Sequence, residues 1–223
     1  MSAGTPFRLA ILISGRGSNM MAIARACVAG SIAAQVAVVI SDRADAAGLA
    51  SATGLGIETA TVLQPRAAGG IAFERSLAAA LDAHQPDVIA LAGFMRILSG
   101  RFVDHYLGRM LNIHPSLLPA YRGLHTHARV LEAGDTEHGA SVHFVTAELD
   151  GGPVVLQSKV AVEPGDTEAT LSARVQATEH IIYPRVLGWC AQRRLAWREG
   201  AAWLDGRRLD TPIVEDFHAA ARN

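Results

Sequence analysis

Short apolar runs alternate with longer Ala-rich segments through the first half of the chain, and few folds accommodate that alternation. Leu9–Ile13, Val36–Ile40 and Val88–Ala92 are uninterrupted aliphatic runs and Ile57–Val62 is a mixed one, and each reads as a buried strand. Between them, Met20–Ala29, Ala46–Thr53 and Ile71–His84 have helical spacing and helix-forming composition. This βαβα order predicts an α/β protein built on a mostly parallel, Rossmann-like open sheet with helices on both faces.

The second half reads differently. Leu111-Asn112-Ile113-His114 is a further strand, stopped by Pro115. Ser141–Thr146 and Val154–Val162 are β-rich runs around Leu149-Asp150-Gly151-Gly152-Pro153, which predicts an antiparallel pair and hence an antiparallel C-terminal portion. Asp166-Thr167 can cap a helix reaching about Trp189, and Pro184 is expected to break or kink it. Leu195–Arg198 and Ala201–Leu204, either side of Glu199-Gly200, read as a small terminal hairpin. No repeat, low-complexity tract or Ser/Gly linker divides the sequence, so residues 1–223 are expected to form one domain.

Composition narrows the setting. A chain of 223 residues, 50% hydrophobic, can bury a sizeable core unaided. With 20 basic and 21 acidic residues and no long like-charge run, it lacks the footprint of a general nucleic-acid binder; the Arg193-Arg194 and Arg207-Arg208 pairs read as solvated surface. Leu9–Ile13 is too short for a membrane span or a signal segment. The two cysteines, Cys27 and Cys190, form no disulfide framework or metal-ligand spacing, which suits a reducing, cytoplasmic setting. Cys27 reads as packing on a helix rather than as a nucleophile.

Three places carry chemistry. The first strand runs into Ser14-Gly15-Arg16-Gly17-Ser18-Asn19 and then a helix. Glycines let backbone N–H groups approach a phosphate, Ser18 and Asn19 add donors, and the helix N-terminus adds partial positive charge. The third glycine of a dinucleotide fingerprint is replaced by Met20, but Asp42 after the second strand keeps a nicotinamide-binding oxidoreductase open, and a plain turn closing the strand–helix connection explains the glycines as well. The second place is Asn112 and His114 at a strand end, where an amide donor and an imidazole suit an oxygen that becomes negative in acyl transfer. A core histidine satisfied by backbone explains the same residues. The third is Asp150, a carboxylate in a glycine loop that would favour protonated His114 if near it; alone it reads as an Asx turn. His125 and His127, with His114, His138 and His143, invite a zinc site, but no recognisable ligand spacing accompanies them and no metal is expected.

Taken together and in order, Gly15-Arg16-Gly17-Ser18-Asn19, Leu91-Ala92-Gly93-Phe94-Met95-Arg96-Ile97-Leu98, Asn112 to Pro119, Gly123-Leu124-His125-Thr126-His127, His138 to Val145 and Leu149 to Pro153 resemble the phosphoribosylglycinamide formyltransferase family over nearly the whole chain. The resemblance implies transfer of a formyl group from 10-formyltetrahydrofolate, as co-substrate, to the amine of glycinamide ribonucleotide in purine synthesis. It implies ribonucleotide binding by Gly17, Ser18, Asn19 and Glu179, and folate binding by Met95, Arg96, Ile97, Leu98 and Asn112. It assigns catalysis to Asn112, His114 and Asp150, with residues 1–105 mainly the phosphate-binding half and 106–223 the catalytic and folate-binding half.

The expected partners are small-molecule substrates, without nucleic acid or membrane, and the protein is expected to be a monomer or a homodimer. One departure stands out: an Arg that contacts the folate in the family aligns with Gly70, and Arg66 is a candidate replacement. Methionyl-tRNA formyltransferase adds a C-terminal tRNA-binding domain to this core and formyltetrahydrofolate hydrolase an N-terminal regulatory one; the chain's length sets the expectation that neither accompanies it here.

Overall fold

The first strand sets the layering. In β1 (Phe7–Ile13) successive side chains point to opposite faces, so Leu9, Ile11 and Ile13 join one buried cluster while Ala10 and Leu12 join another. A strand apolar on both faces must lie inside a sheet covered on both sides. The computed structural model, which describes residues 6–64 and 69–218, has that arrangement.

After β1 come α1 (Ser18–Val28), β2 (Ala34–Ser41), α2 (Ala47–Gly54), β3 (Thr59–Thr61), α3 (Gly69–His84), β4 (Val88–Leu91), α4 (Gly100–His105) and β5 (Met110–His114). Then follow α5 (Thr126–Ala133), β6 (Glu137–Phe144), β7 (Val154–Ala161), α6 (Glu168–Ala191), β8 (Leu195–Arg198), β9 (Ala201–Leu204), β10 (Arg207–Arg208) and β11 (Ile213–Asp216). One eight-stranded sheet has the order β11-β7-β6-β5-β4-β1-β2-β3, and β10-β9-β8 form a separate small one. Pairing is parallel from β3 through β2, β1 and β4 to β5, and antiparallel at β5–β6 and β6–β7. Met20 and Ile23 of α1, Ala52 of α2, Val130 of α5 and Leu171, Val175 and Ile182 of α6 cover one face. Phe73, Leu77 and Leu81 of α3 with Phe102 of α4 cover the other.

The expected parallel sheet with an antiparallel C-terminal portion is therefore present, with additions. The short helices α4 and α5 fall in segments the apolar pattern leaves as loops. The β8–β9 hairpin is followed by β10 and then by β11, which returns to pair parallel with β7 at the main sheet's edge. Pro184 does not break α6, which is assigned as one helix from Glu168 to Ala191. Its neighbours Ile182, Tyr183, Val186 and Leu187 are fully buried, and the Tyr183 hydroxyl donates toward the carbonyls of Leu91 (3.1 Å) and Leu111 (2.9 Å). Packing along this face outweighs the single backbone hydrogen bond that proline removes.

Strand order places the site. β1 leads by way of α1 to β2 on one side, whereas β4, its other neighbour, belongs to the opposite half of the sheet. The chain changes direction between these strands, and in open α/β sheets ligands bind at the carboxyl ends of the strands flanking such a switch.

Candidate active site

The β1–α1 connection is tightly determined. Gly17 sits at φ +74° at the N-cap of α1, a conformation that favours glycine, and a Cβ there would lie 3.0 Å from the Gly48 backbone. The Gly48 N–H in turn donates to Gly15 O at 3.0 Å. The close packing expected of a third fingerprint glycine is thus supplied from α2. No side chain caps α1, which leaves the N–H groups of its first turn available to an anion. Asn19 is buried beside this turn, donates through Nδ2 to Glu179 Oε2 at 2.7 Å, and has no protein partner on Oδ1 among the described residues. Burial pushes the Glu179 carboxyl above its ordinary range, partly opposed by the Asn19 hydrogen bond. Residues 14–19, Ala92, Gly93, Met95, Ile113, Pro115, His127, Ser172, Gln176 and Glu179 line one cleft of about 340 Å³.

A second cleft, of about 130 Å³, opens on the other side of the β5 terminus. Arg96, Ile97, Leu98, Asn112, His143 and residues 145–150 are among its walls. Arg96, Ile97 and Leu98 thus share a wall with Asn112, as expected. Met95 lines the first cleft instead, against Gly17 to Asn19, and its N–H donates to Ser14 Oγ at 2.8 Å. Arg96 is held by Asp42 (Nε to Oδ2, 2.7 Å), by Gln64, and by the Phe73 ring 4.8 Å from its guanidinium carbon. Asp42, the candidate ribose-binding acid of a dinucleotide site, is therefore occupied by a cation. Gly70 is exposed on α3, and Arg66 lies outside the described residues.

Between the clefts stand the three residues singled out for chemistry. β5 pairs Asn112 with His143 and His114 with Ser141 of β6, and Pro115, lacking an N–H, ends the strand. The following loop is fastened by buried bonds: Ser141 Oγ donates to Ser116 O (2.6 Å), and Gln157 Nε2 donates to Leu118 O (2.9 Å). His114 lies 2.9 Å through Nε2 from Tyr121 O and 3.5 Å through Nδ1 from Asp150 Oδ2. A carbonyl can only accept, so Nε2 carries a proton and Nδ1 faces the carboxylate.

Asp150 is in the left-handed region at φ +48°, its Oδ2 receives the Gly123 N–H at 2.9 Å, and its side chain is only 8% exposed. The loop approaches β6 so closely at Gly152 that a Cβ would stand 1.9 Å from Phe144 O. The Arg122–Glu148 ion pair ties the same two loops together.

His143 belongs to this group although sequence reasoning considered it only as a metal ligand. Its Nδ1 donates to Phe144 O at 2.9 Å, leaving Nε2 as acceptor for Asn112 Nδ2 at 3.1 Å. Burial lowers its pKa to about 4, so the ring is neutral near pH 7 and fixes which way the Asn112 amide points. The available signal was alternation: Asn112 and His143 share a face only once the β5–β6 register is known. His127 and His138 also meet, Nδ1 to Nε2 at 2.9 Å, and burial lowers both, His138 to about 4. His125 is the αL N-cap of α5. The described residues hold no group of three His, Cys, Asp or Glu arranged to bind a metal ion. Cys27 is half-buried and burial raises its thiol to about 11, consistent with packing.

A neutral amide donor and an imidazole–carboxylate pair between two clefts can hold an oxyanion formed where two ligands meet. Comparison with known proteins agrees with this geometry. Residues 7–187 match the family model described as formyl transferase. The phosphoribosylglycinamide formyltransferase of Escherichia coli (strain K12) is 56% identical over 201 residues, covering 90% of this chain and 95% of that protein. The phosphoribosylglycinamide formyltransferase structure from Coxiella burnetii, in complex with CHES, superposes with a TM-score of 0.89 at 46% identity, covering 94% of this chain and 99% of that one. A formyltetrahydrofolate deformylase from Pseudomonas syringae shares the fold, with a TM-score of 0.83 at 22% identity, covering 90% of this chain and 66% of that one. By sequence and by fold, the chain belongs to the phosphoribosylglycinamide formyltransferases within the wider formyl transferase family.

Proposed function

We propose that this protein transfers the formyl group of 10-formyltetrahydrofolate to the amine of glycinamide ribonucleotide, a step of purine synthesis. The observation that carries the reading is the position of Asn112, His114 and Asp150 between an anion-suited cleft and a partly apolar one. The ribonucleotide phosphate is assigned to the α1 N-terminus, with Gly17, Ser18 and Asn19, and its ribose to Glu179. The folate head is assigned to the second cleft, along Arg96, Ile97, Leu98 and Asn112. Met95, grouped with them by resemblance, lines the neighbouring cleft.

In the mechanism, the substrate amine attacks the formyl carbon and a C–N bond forms, placing negative charge on the formyl oxygen. Asn112 donates its second amide hydrogen to that oxygen, its first being held by His143. A negative oxygen is a stronger acceptor than the Tyr121 carbonyl, so it competes for the His114 Nε2 proton. Asp150 faces the opposite nitrogen and fixes the orientation of the ring. The tetrahedral intermediate collapses as the bond to the folate nitrogen breaks, and the proton lost by the amine passes, through water and Asp150, to that nitrogen.

The acceptors are small molecules. The free thiols of Cys27 and Cys190 suit a reducing cytoplasm. No helix among the described residues is long and apolar enough to cross a membrane. Incubation with 10-[¹³C]formyltetrahydrofolate and glycinamide ribonucleotide is expected to move the label onto the ribonucleotide, read by mass spectrometry. Label recovered only as free formate would contradict the transfer.

A further inference from the structure

Arg16 lies between the two loop glycines on the wall of the first cleft, exposed, and makes no hydrogen bond or ion pair with any described residue. Most other cations near the ligand-binding edge are committed: Arg96 to Asp42, Arg122 to Glu148, and Arg129 to the carbonyls of Arg122 and Leu124. The other titratable groups lining the first cleft supply no positive charge near neutral pH. Burial lowers the His127 pKa, and Glu179 is an acid hydrogen-bonded to Asn19. A phosphate held only by backbone N–H groups and neutral side chains would leave most of its charge uncompensated. A helix terminus supplies roughly half a unit of positive charge, against the 1.5 to 2 negative charges of a phosphomonoester.

We infer that Arg16 closes over the phosphate of the ribonucleotide as its only full counter-charge from the cleft wall, making it a specificity-determining residue for phosphorylated substrate. This deepens the proposed function and rests on its assignment of the first cleft. Arg16 is exposed, so its arm has room to swing, while Gly17, packed against Gly48, anchors the loop beneath it. The buried, unpartnered Oδ1 of Asn19 beside the same turn is an independent mark of a ligand: an acceptor there calls for a donor, such as a substrate hydroxyl. An arginine contributes paired N–H groups that fit two phosphate oxygens, beyond a point charge.

The test is a cycle of two changes, Arg16→Ala in the protein and removal of the phosphate from the substrate, with Arg16→Lys as the conservative variant. Arg16→Ala is expected to raise the KM for glycinamide ribonucleotide about tenfold to a hundredfold while leaving kcat and the folate KM unchanged. Lysine should restore part of the loss, and the dependence of KM on ionic strength should flatten in the alanine variant. With the dephosphorylated riboside, parent and variant should have equal kcat/KM. An unchanged ribonucleotide KM, or an equal loss with the riboside, would overturn the assignment. Calorimetric titration with inorganic phosphate judges Arg16 separately from the transfer reaction. Weaker binding by the variant supports the assignment even if the parent transfers no formyl group, and equal binding overturns it.

Discussion

His114 is the residue on which the proposed chemistry turns, and its surroundings define what losing it should do. The residue is 6% exposed and its ring lies between Tyr121 O and Asp150, while the proposed ribonucleotide contacts lie across the strand on α1 and α6. His114→Ala is therefore expected to lower kcat by on the order of 10² to 10⁴-fold with little change in ribonucleotide KM. Steady-state kinetics with both substrates varied will check it, and turnover equal to the parent's would remove His114 from the mechanism. His143 acts one step back, through Asn112. His143→Leu should cost about tenfold in kcat, the loss of one oriented hydrogen bond, with both KM values near those of the parent. Asn112, His114 and Asp150 were legible in the sequence because Pro115 and the paired glycines mark strand and loop ends. His143 was not, because its pairing depends on β5–β6 register, nor was the side of the β5 terminus to which Met95 turns, because neighbouring residues leaving a strand face different clefts.

Among the elements, α6 joins stability to the proposed function, since it carries Glu179 and braces β4 and β5. Its N-terminus is built by Thr167, whose side chain exchanges hydrogen bonds with Thr170, and by Asp166, which receives Arg174 through both oxygens at 2.6 and 2.9 Å. Arg174 chiefly, with the Glu163 N–H and Thr170 assisting, holds the Asp166 carboxyl well below its ordinary value of 3.8. The unfolded chain takes up that proton near 3.8 and the folded one resists it, so the stabilisation is complete above this pH and declines as pH falls below it. Asp166→Asn should destabilise the protein by about 1–3 kcal/mol at pH 7. It should also flatten the acid limb of stability, as urea unfolding at several pH values would measure. If parent and variant lost stability in parallel below pH 3.8, this pair would not be the source. At the other contact, Tyr183→Phe removes the hydroxyl between Leu91 O and Leu111 O and is expected to cost about 1–2 kcal/mol in denaturant unfolding.

The long elements were readable because their apolar period is unambiguous, and Asp166-Thr167 announced the start of α6. The short ones were hidden for physical reasons. β11 reads Ile-Val-Glu-Asp, half polar because it lies at an edge, and α4 has six residues, too few to display a period. Pro184 misled because local backbone preference was set against a buried face whose extent the sequence does not display.

The whole molecule brings the carboxyl ends of β1, β4 and β5 together at one edge of a single sheet, with a cleft on either side of the β5 terminus. Residues from both halves of the chain meet there, which is why motifs far apart in sequence can act on one formyl group. In the proposed mechanism this arrangement separates a transferase from a hydrolase: the formyl carbon is attacked by an amine delivered from the neighbouring cleft. The most direct measurement is the absorbance change of 10-formyltetrahydrofolate on deformylation by the purified protein, with and without glycinamide ribonucleotide. Turnover that requires the ribonucleotide and matches it mole for mole is the expected result; equal turnover in its absence would contradict transfer and make the protein a hydrolase.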